Sequence, residues 1–221
     1  MANIFVLMGP QGAGKGTQAQ MLAKKFSLPI IATGEILREV AKEDTELGRH
    51  VREEQAAGHL VSDEILGEIV SQRTILEDCK NGYILDGFPR TLPQARLLDQ
   101  IAESEGCRTV VITIDVPPEL LYKRLAGRRT CSKCNTVYNV FFKPPQKEGV
   151  CDLDGAPLFT RSDDNEEAIA KRLTLYTEKT QPLLDYYEES GRLHRVDGTG
   201  APGEVFERIA RIVRQEACQG A

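Results

Sequence analysis

The stretch GPQGAGKGT, residues 9–17, constrains this chain more than any other. It follows a short apolar run, NIFVLM at 3–8, and opens a segment with helical spacing (Ala19, Leu22, Ala23, Phe26). Gly9, Gly14 and Lys15 match the G-x-x-x-x-G-K phosphate-loop spacing in the strand-to-helix context that motif requires. Glycines leave backbone N–H groups free to converge on phosphate oxygens, and the helix N-terminus adds partial positive charge. A glycine-rich turn that binds nothing is the bland alternative. Gly16 follows the lysine, so the hydroxyl that usually holds magnesium arrives one residue late, at Thr17. That displacement argues against a generic GTPase or motor.

Further apolar runs of similar length recur at 28–33, 83–85, 109–114 and, more weakly, 193–196. Short runs of this kind, separated by helix-like segments, predict a parallel sheet buried on both faces, hence an α/β protein. Two stretches break the rhythm. Residues 34–61 are polar and helical, with no strand between them. Residues 127–164 are rich in Cys, Pro, Gly and Asp and carry TVYNVFF, a pattern of small antiparallel hairpins. Both read as insertions between core elements. A helix resumes after SDDNEE, with Ser162 or Asp163 expected as its cap.

Composition adds exclusions. The 221 residues carry 41% hydrophobic and 28% charged side chains, ordinary for a globular protein. A net charge of −5 speaks against a dedicated nucleic-acid binder. The N-terminus lacks a signal-peptide pattern and no apolar run approaches a membrane span, so a cytoplasmic protein without a membrane partner is expected. The six cysteines are then not read as a disulfide set.

Cys131 and Cys134 are followed, after sixteen intervening residues, by Cys151 and Asp154. This C-x₂-C…C-x₂-D spacing reads as a structural zinc ribbon with three thiolates and one carboxylate. Asp154-Gly155 is also a good hairpin turn, which leaves Asp152 or a water as alternative fourth ligands. Cys79, Cys107 and Cys218 lack partner spacing and read as ordinary residues. A lobe of this size buries little apolar surface, so a metal would compensate for a thin core.

DGFPR at 86–90 ends the third run. Asp86 at a strand tip beside the phosphate loop suits magnesium or its waters, and the Arg90 guanidinium suits phosphate. Asp-Gly and Pro are equally turn formers. Together, GPQGAGKGT and DGFPR resemble the adenylate kinase family of nucleoside monophosphate kinases, whose loop has a second proline where this chain has Gln11. In that pattern the position is on the loop exterior, so little consequence is expected.

The resemblance runs in family order from residue 9 to about 202. It implies a P-loop core of five parallel strands (1–32, 62–126 and 165–221), a helical AMP lobe (33–61) and a zinc-ribbon lid (127–164). ATGEILR implies Thr33, Gly34 and Arg38 at the AMP. GHLVSDE implies Leu60 and Val61 around the acceptor base, with Gly87 and Arg90 nearby and Gln94 reading an adenine edge. YKRLAGRR places Arg124 and Arg128 four apart on one helical face at the lid's entrance. Arg124 is implied at the donor adenine, while Arg128, Arg161 and Arg172 close over phosphates. Remaining ATP contacts are implied at Gly9, Gly12, Ala13, Gly14, Lys15, Gly16 and Thr17, and at Gly200 in VDGTGAP.

The expected reaction is reversible transfer from Mg-ATP to AMP by a monomer, with Lys15, Asp86, Arg90, Arg128, Arg161 and Arg172 carrying the chemistry. No general base is needed, because the acceptor phosphate is already anionic; His50, His59 and His194 lie outside the core motifs. Rivals are a UMP/CMP kinase, a GTP-preferring donor site, and a zinc-ribbon ATPase that grips nucleic acid. Residues 127–164 hold six Lys/Arg against five acids, too balanced for a strand-binding surface.

Overall fold

A computed structural model describes residues 2–57, 59 and 61–219. Each expected apolar run is a strand: β1 (Asn3–Met8), β2 (Ile30–Ala32), β3 (Tyr83–Asp86), β4 (Arg108–Asp115) and, last in the chain, a strand Leu193–Asp197. Three short strands precede that one in the chain: β5 (Arg128–Cys131), β6 (Val137–Asn139) and β7 (Leu158–Phe159), so Leu193–Asp197 is β8. The large sheet is parallel, in the order β2-β3-β1-β4-β8. β1 is buried along its whole length, as a central parallel strand flanked by helices requires.

The helices are α1 (Lys15–Phe26), α2 (Thr33–Val40), α3 (Glu46–Ala56), α4 (Asp63–Thr74), α5 (Leu92–Glu105), α6 (Pro118–Ala126), α7 (Glu166–Leu175), α8 (Pro182–Glu189) and α9 (Pro202–Gln219). One apolar cluster lies on the β2–β3 side with α4, α5 and α8; the other joins α1 and α9 to the opposite face. No helix among the described residues is long and apolar enough to cross a membrane.

Central β1 lies between β3 and β4, and Leu7 is in register with Asp86. Ala32 also pairs with Asp86. Three loops therefore leave the carboxyl edge of the sheet side by side, where ligands of open α/β sheets bind.

Two expectations change here. The α7 cap is Asn165, whose side chain accepts from the Ala168 N–H at 2.8 Å, rather than Ser162 or Asp163. Ser162–Asp164 form a separate 3₁₀ turn, and the Asp163 and Asp164 carboxylates face arginines. Arg124 and Arg128 do not share a helical face, because α6 ends at Ala126 and Arg128 starts β5. Gly127 at the joint has no room for a side chain: a β-carbon would meet the Phe141 ring at 2.6 Å and Asn139 Oδ1 at 2.8 Å.

Candidate functional site

Gly9 leaves β1 with φ +130°, and a β-carbon there would lie 2.7 Å from the Ile114 carbonyl. Only glycine lets the loop turn this tightly against β4. Lys15 opens α1 and folds back, its Nζ donating to the carbonyls of Gly9 (2.7 Å) and Pro10 (3.0 Å). Burial pulls its pKa down to about 8; Asp86 opposes the shift, whereas Arg90, Arg172 and Arg128 add to it. Asp86 Oδ2 lies 3.4 Å from where a β-carbon on Gly16 would stand. This carboxylate beside the loop fits the oxygen chemistry of magnesium. Thr17 is exposed at the start of α1.

Arg124 extends from α6 across the loop, its guanidinium 3.3 Å from the Ala13 carbonyl and 3.1 Å from that of Gly198. It joins the phosphate loop, Gly12 included, to the segment holding Gly200.

Beside the loop, at Gln11, a cavity is lined by Thr33, Gly34, Arg38, Val61, Arg90 and Arg172, together with Leu37, Gln55, His59, Leu66, Asp163 and residues 175, 176 and 180. The Thr33 hydroxyl donates to the Asp86 carbonyl at 3.4 Å. Gly87 has φ +88°, and a β-carbon on it would lie 2.7 Å from Thr33 Oγ1 and 3.1 Å from Arg90 Nη2. That close approach keeps Arg90 at the cavity wall, with its Nε donating to the Gly87 carbonyl at 2.8 Å. Burial first and Arg172 second pull Arg90 down to about 10; it remains a cation at neutral pH. Leu60 lies outside the described residues.

Gln94 is buried, and its amide is engaged: Oε1 accepts from the Arg90 N–H at 2.7 Å and Nε2 donates to Asp63 Oδ1 at 2.6 Å. Asp63 Oδ2 in turn accepts from the Thr91 hydroxyl at 2.9 Å. Each amide atom keeps capacity for one more bond, although Gln94 itself is not among the residues that line the cavity.

Two expectations about neighbouring residues need correction. Gln11 is not on the loop exterior; it lines the cavity, and its Oε1 is shielded from solvent without a hydrogen-bond partner. His59 also lines the cavity, with Nδ1 3.1 Å from Glu54 Oε2 and Nε2 against Lys171 Nζ. The expected exterior place of Gln11 came from the family pattern alone, and the core motifs do not include His59; both meet at the cavity only in the folded chain.

The arginines converge, and the structure adds residues the sequence analysis did not single out. Arg128 makes a two-pronged pair with Asp164, whose side chain is fully buried. Arg172 pairs with Asp163 at 2.9 Å, and Arg161 Nε donates to Thr130 Oγ1 at 3.0 Å. Burial works to raise the Asp163 carboxyl, but Arg172, Arg128 and Arg161 hold it below the usual range. Thr180, in a π-helical turn Tyr176–Thr180, donates to the Arg90 carbonyl at 3.0 Å. The acids of SDD directly after Arg161 were the available sequence signal; Thr180 offered none.

The ligand atoms of Cys131, Cys134, Cys151 and Asp154 all lie within 4.8 Å of one another. The Cys134 and Cys151 sulfurs are 3.7 Å apart, and Cys131 Sγ is 3.4 Å from Asp154 Oδ1. A tetrahedron of ~2.3 Å bonds has edges of roughly 3.8 Å, so the cluster fits zinc. The N–H groups of Lys133 and Cys134 point at Cys131 Sγ, at 3.4 and 3.5 Å, and the Tyr138 hydroxyl touches Cys151 Sγ at 3.5 Å. Only Cys131, Tyr138 and Cys151 are buried in this lobe's apolar cluster, with Ala156 and Leu158 against them.

The family model described as adenylate kinase matches residues 7–192. The chain is similar to an adenylate kinase of Caldicellulosiruptor bescii, 52% identical over 190 residues, covering 86% of this chain and 88% of that protein. It is 45% identical to an adenylate kinase of Clostridium tetani over 210 residues, 95% of this chain and 97% of that one. An adenylate kinase of Methanothrix thermoacetophila is 47% identical over 210 residues, with the same coverages.

Proposed function

Because this chain belongs to the adenylate kinase family, and is therefore a phosphotransferase, we propose that it interconverts ATP plus AMP and two ADP. The observation that carries this reading is the cavity directly beside the phosphate loop, walled by Arg38, Arg90 and Arg172. It gives a second phosphate its own cationic seat next to the donor's. In this reading 33–61 is the acceptor lobe, 127–164 the lid and the remainder the core.

ATP lies along the loop, with Lys15 on its phosphates and Arg124 at the base end. AMP enters the cavity, its phosphate held by Arg38 and Arg90 and its base against Val61, within reach of Gln94. An AMP phosphate oxygen attacks the γ-phosphorus of ATP, the bond to the β,γ-bridging oxygen breaks, and that electron pair leaves on ADP. No side chain need remove a proton, because the attacking phosphate is already ionised. His59 is consistent with this: both ring nitrogens already face Glu54 and Lys171. Lys15, Arg90, Arg128, Arg161 and Arg172 gather around the developing charge, and positioning plus charge neutralisation supply the catalysis.

Asp86 would hold magnesium or its waters; when bound with ATP, that ion supplies charge neutralisation on the phosphates. Zinc held by Cys131, Cys134, Cys151 and Asp154 would be structural, since four protein ligands close the site to water. Lid closure excludes water, which would otherwise turn the enzyme into an ATPase; the adenylate kinase lid is a standard example of such gating.

The test is transfer from Mg-ATP to a panel of AMP, GMP, CMP and UMP, following the diphosphates. ADP formation with AMP alone supports the reading. Faster turnover of CMP or UMP overturns the base assignment but keeps the mechanism. ATP hydrolysis without transfer to any monophosphate overturns both.

A further inference from the structure

Gln11 stands where the loop pattern this sequence resembles has proline, and the reaction as described gives it no task. Yet it lines the acceptor cavity, and its Oε1 is shielded from solvent without a partner. A buried unpaired amide oxygen is costly to leave so, and with no bond holding it this amide is free to change its orientation. The neighbours identify the kind of partner. The carbonyl of adjacent Pro10 takes Lys15 Nζ at 3.0 Å, and Arg38, Arg90 and Arg172 share the cavity wall. This is the end of the cavity built for an anion.

We propose that the Gln11 carboxamide donates a hydrogen bond to the phosphate of the bound monophosphate, a contact proline at this position lacks. The inference rests on reading the cavity as the acceptor site. No hydrogen bond holds Oε1, Nε2 is not among the shielded polar atoms, and the terminal amide torsion is soft, so the amide can direct Nε2 at an anion that enters the cavity. A neutral donor suits this place because the cations already oppose one another: Arg90 and Arg172 both work against the charge on Lys15. An added cation would deepen that conflict, whereas an amide adds direction without charge.

The experiment compares the parent, Gln11→Leu and Gln11→Glu in calorimetric binding of AMP and of adenosine, together with KM for ATP. Leucine matches glutamine in size without its donor. It is expected to weaken AMP about five- to tenfold, with adenosine binding and the KM for ATP within about twofold of the parent. Gln11→Glu is expected to weaken AMP further, because a carboxylate then faces the phosphate. Unchanged AMP affinity in Gln11→Leu overturns the proposal. So does equal weakening of AMP and adenosine, which would assign Gln11 to the nucleoside or to cavity shape. Should the leucine variant fail to fold, Gln11→Pro, carrying the residue of that loop pattern, takes its place with the same expectation. A parent that binds no AMP instead overturns the acceptor reading itself, an outcome visible before any variant is compared.

Discussion

Lys15 is under opposing pulls: burial and three arginines favour its neutral form, and Asp86 favours the ammonium. With the free-state pKa near 8, ATP binding must restore a proton once the pH exceeds that value. Phosphates bind the charged form, so affinity falls as pH rises. Between pH 7 and pH 9 the KM for Mg-ATP is expected to rise about tenfold, by the protonated fraction available. A flat profile over that range would refute this account of Lys15. The Gln94 amide is also held at both ends. The Asp63 carboxylate only accepts and the Arg90 N–H only donates, so the amide has one permitted sense. That sense fixes which base edge it can pair with. Asp63→Asn removes the charged one of those two constraints and loosens the amide's hold, and the preference for AMP over GMP is expected to fall about tenfold. Initial rates on both monophosphates measure it; an unaltered ratio would mean that Asp63 does not orient Gln94.

Among the elements, the lobe of β5, β6 and β7 has the smallest apolar cluster. A metal held by the proposed site of Cys131, Cys134, Cys151 and Asp154 would compensate for that thin core. Removing the metal with a strong chelator is expected to lower the unfolding midpoint by roughly 10 °C. Scanning calorimetry with and without chelator, alongside metal analysis, reads this directly; unchanged melting in metal-free protein would remove zinc from the account. The 3₁₀ turn Ser162–Asp164 gathers Arg128 of β5 and Arg172 of α7. Asp164→Asn leaves Arg128 with a neutral partner, and kcat is expected to fall about tenfold or more, while AMP binding holds. Steady-state kinetics separate the two, and a loss confined to AMP binding would contradict this role.

At the scale of the molecule, α9 is clasped to the sheet far from the cleft. Glu216, buried on α9, meets Arg108 at the start of β4 at 2.9 Å and His194 on β8 at 3.4 Å. Glu216→Ala removes the carboxylate from a pair that is half in water on the arginine side. It is expected to destabilise the fold by ~1–3 kcal/mol without altering kcat. Denaturant unfolding and initial rates check the two halves separately.

The strands and the phosphate loop were legible because each is written in consecutive residues. NIFVLM, YIL and TVVITI are buried runs wherever the chain goes, and GPQGAGKGT needs only its own glycines and lysine to shape a phosphate seat. The Cys131–Cys134 and Cys151–Asp154 pairs were legible for the same reason. The α7 cap was not, since Ser162, Asp163 and Asn165 are all good caps and only the arginines decide which acids are taken. Nor was the break between Arg124 and Arg128, which depends on Gly127 yielding space to Phe141.

The sequence by itself therefore determined the sheet, the phosphate loop and the metal spacing, because these follow from neighbours in the chain. Only the tertiary structure decided which distant residues meet: Arg128 with Asp164, Gln94 with Asp63, and Gln11 at the cavity wall. Those contacts join segments tens of residues apart. Their geometry is set by the order β2-β3-β1-β4-β8, which brings the carboxyl ends of strands together irrespective of their distance along the chain.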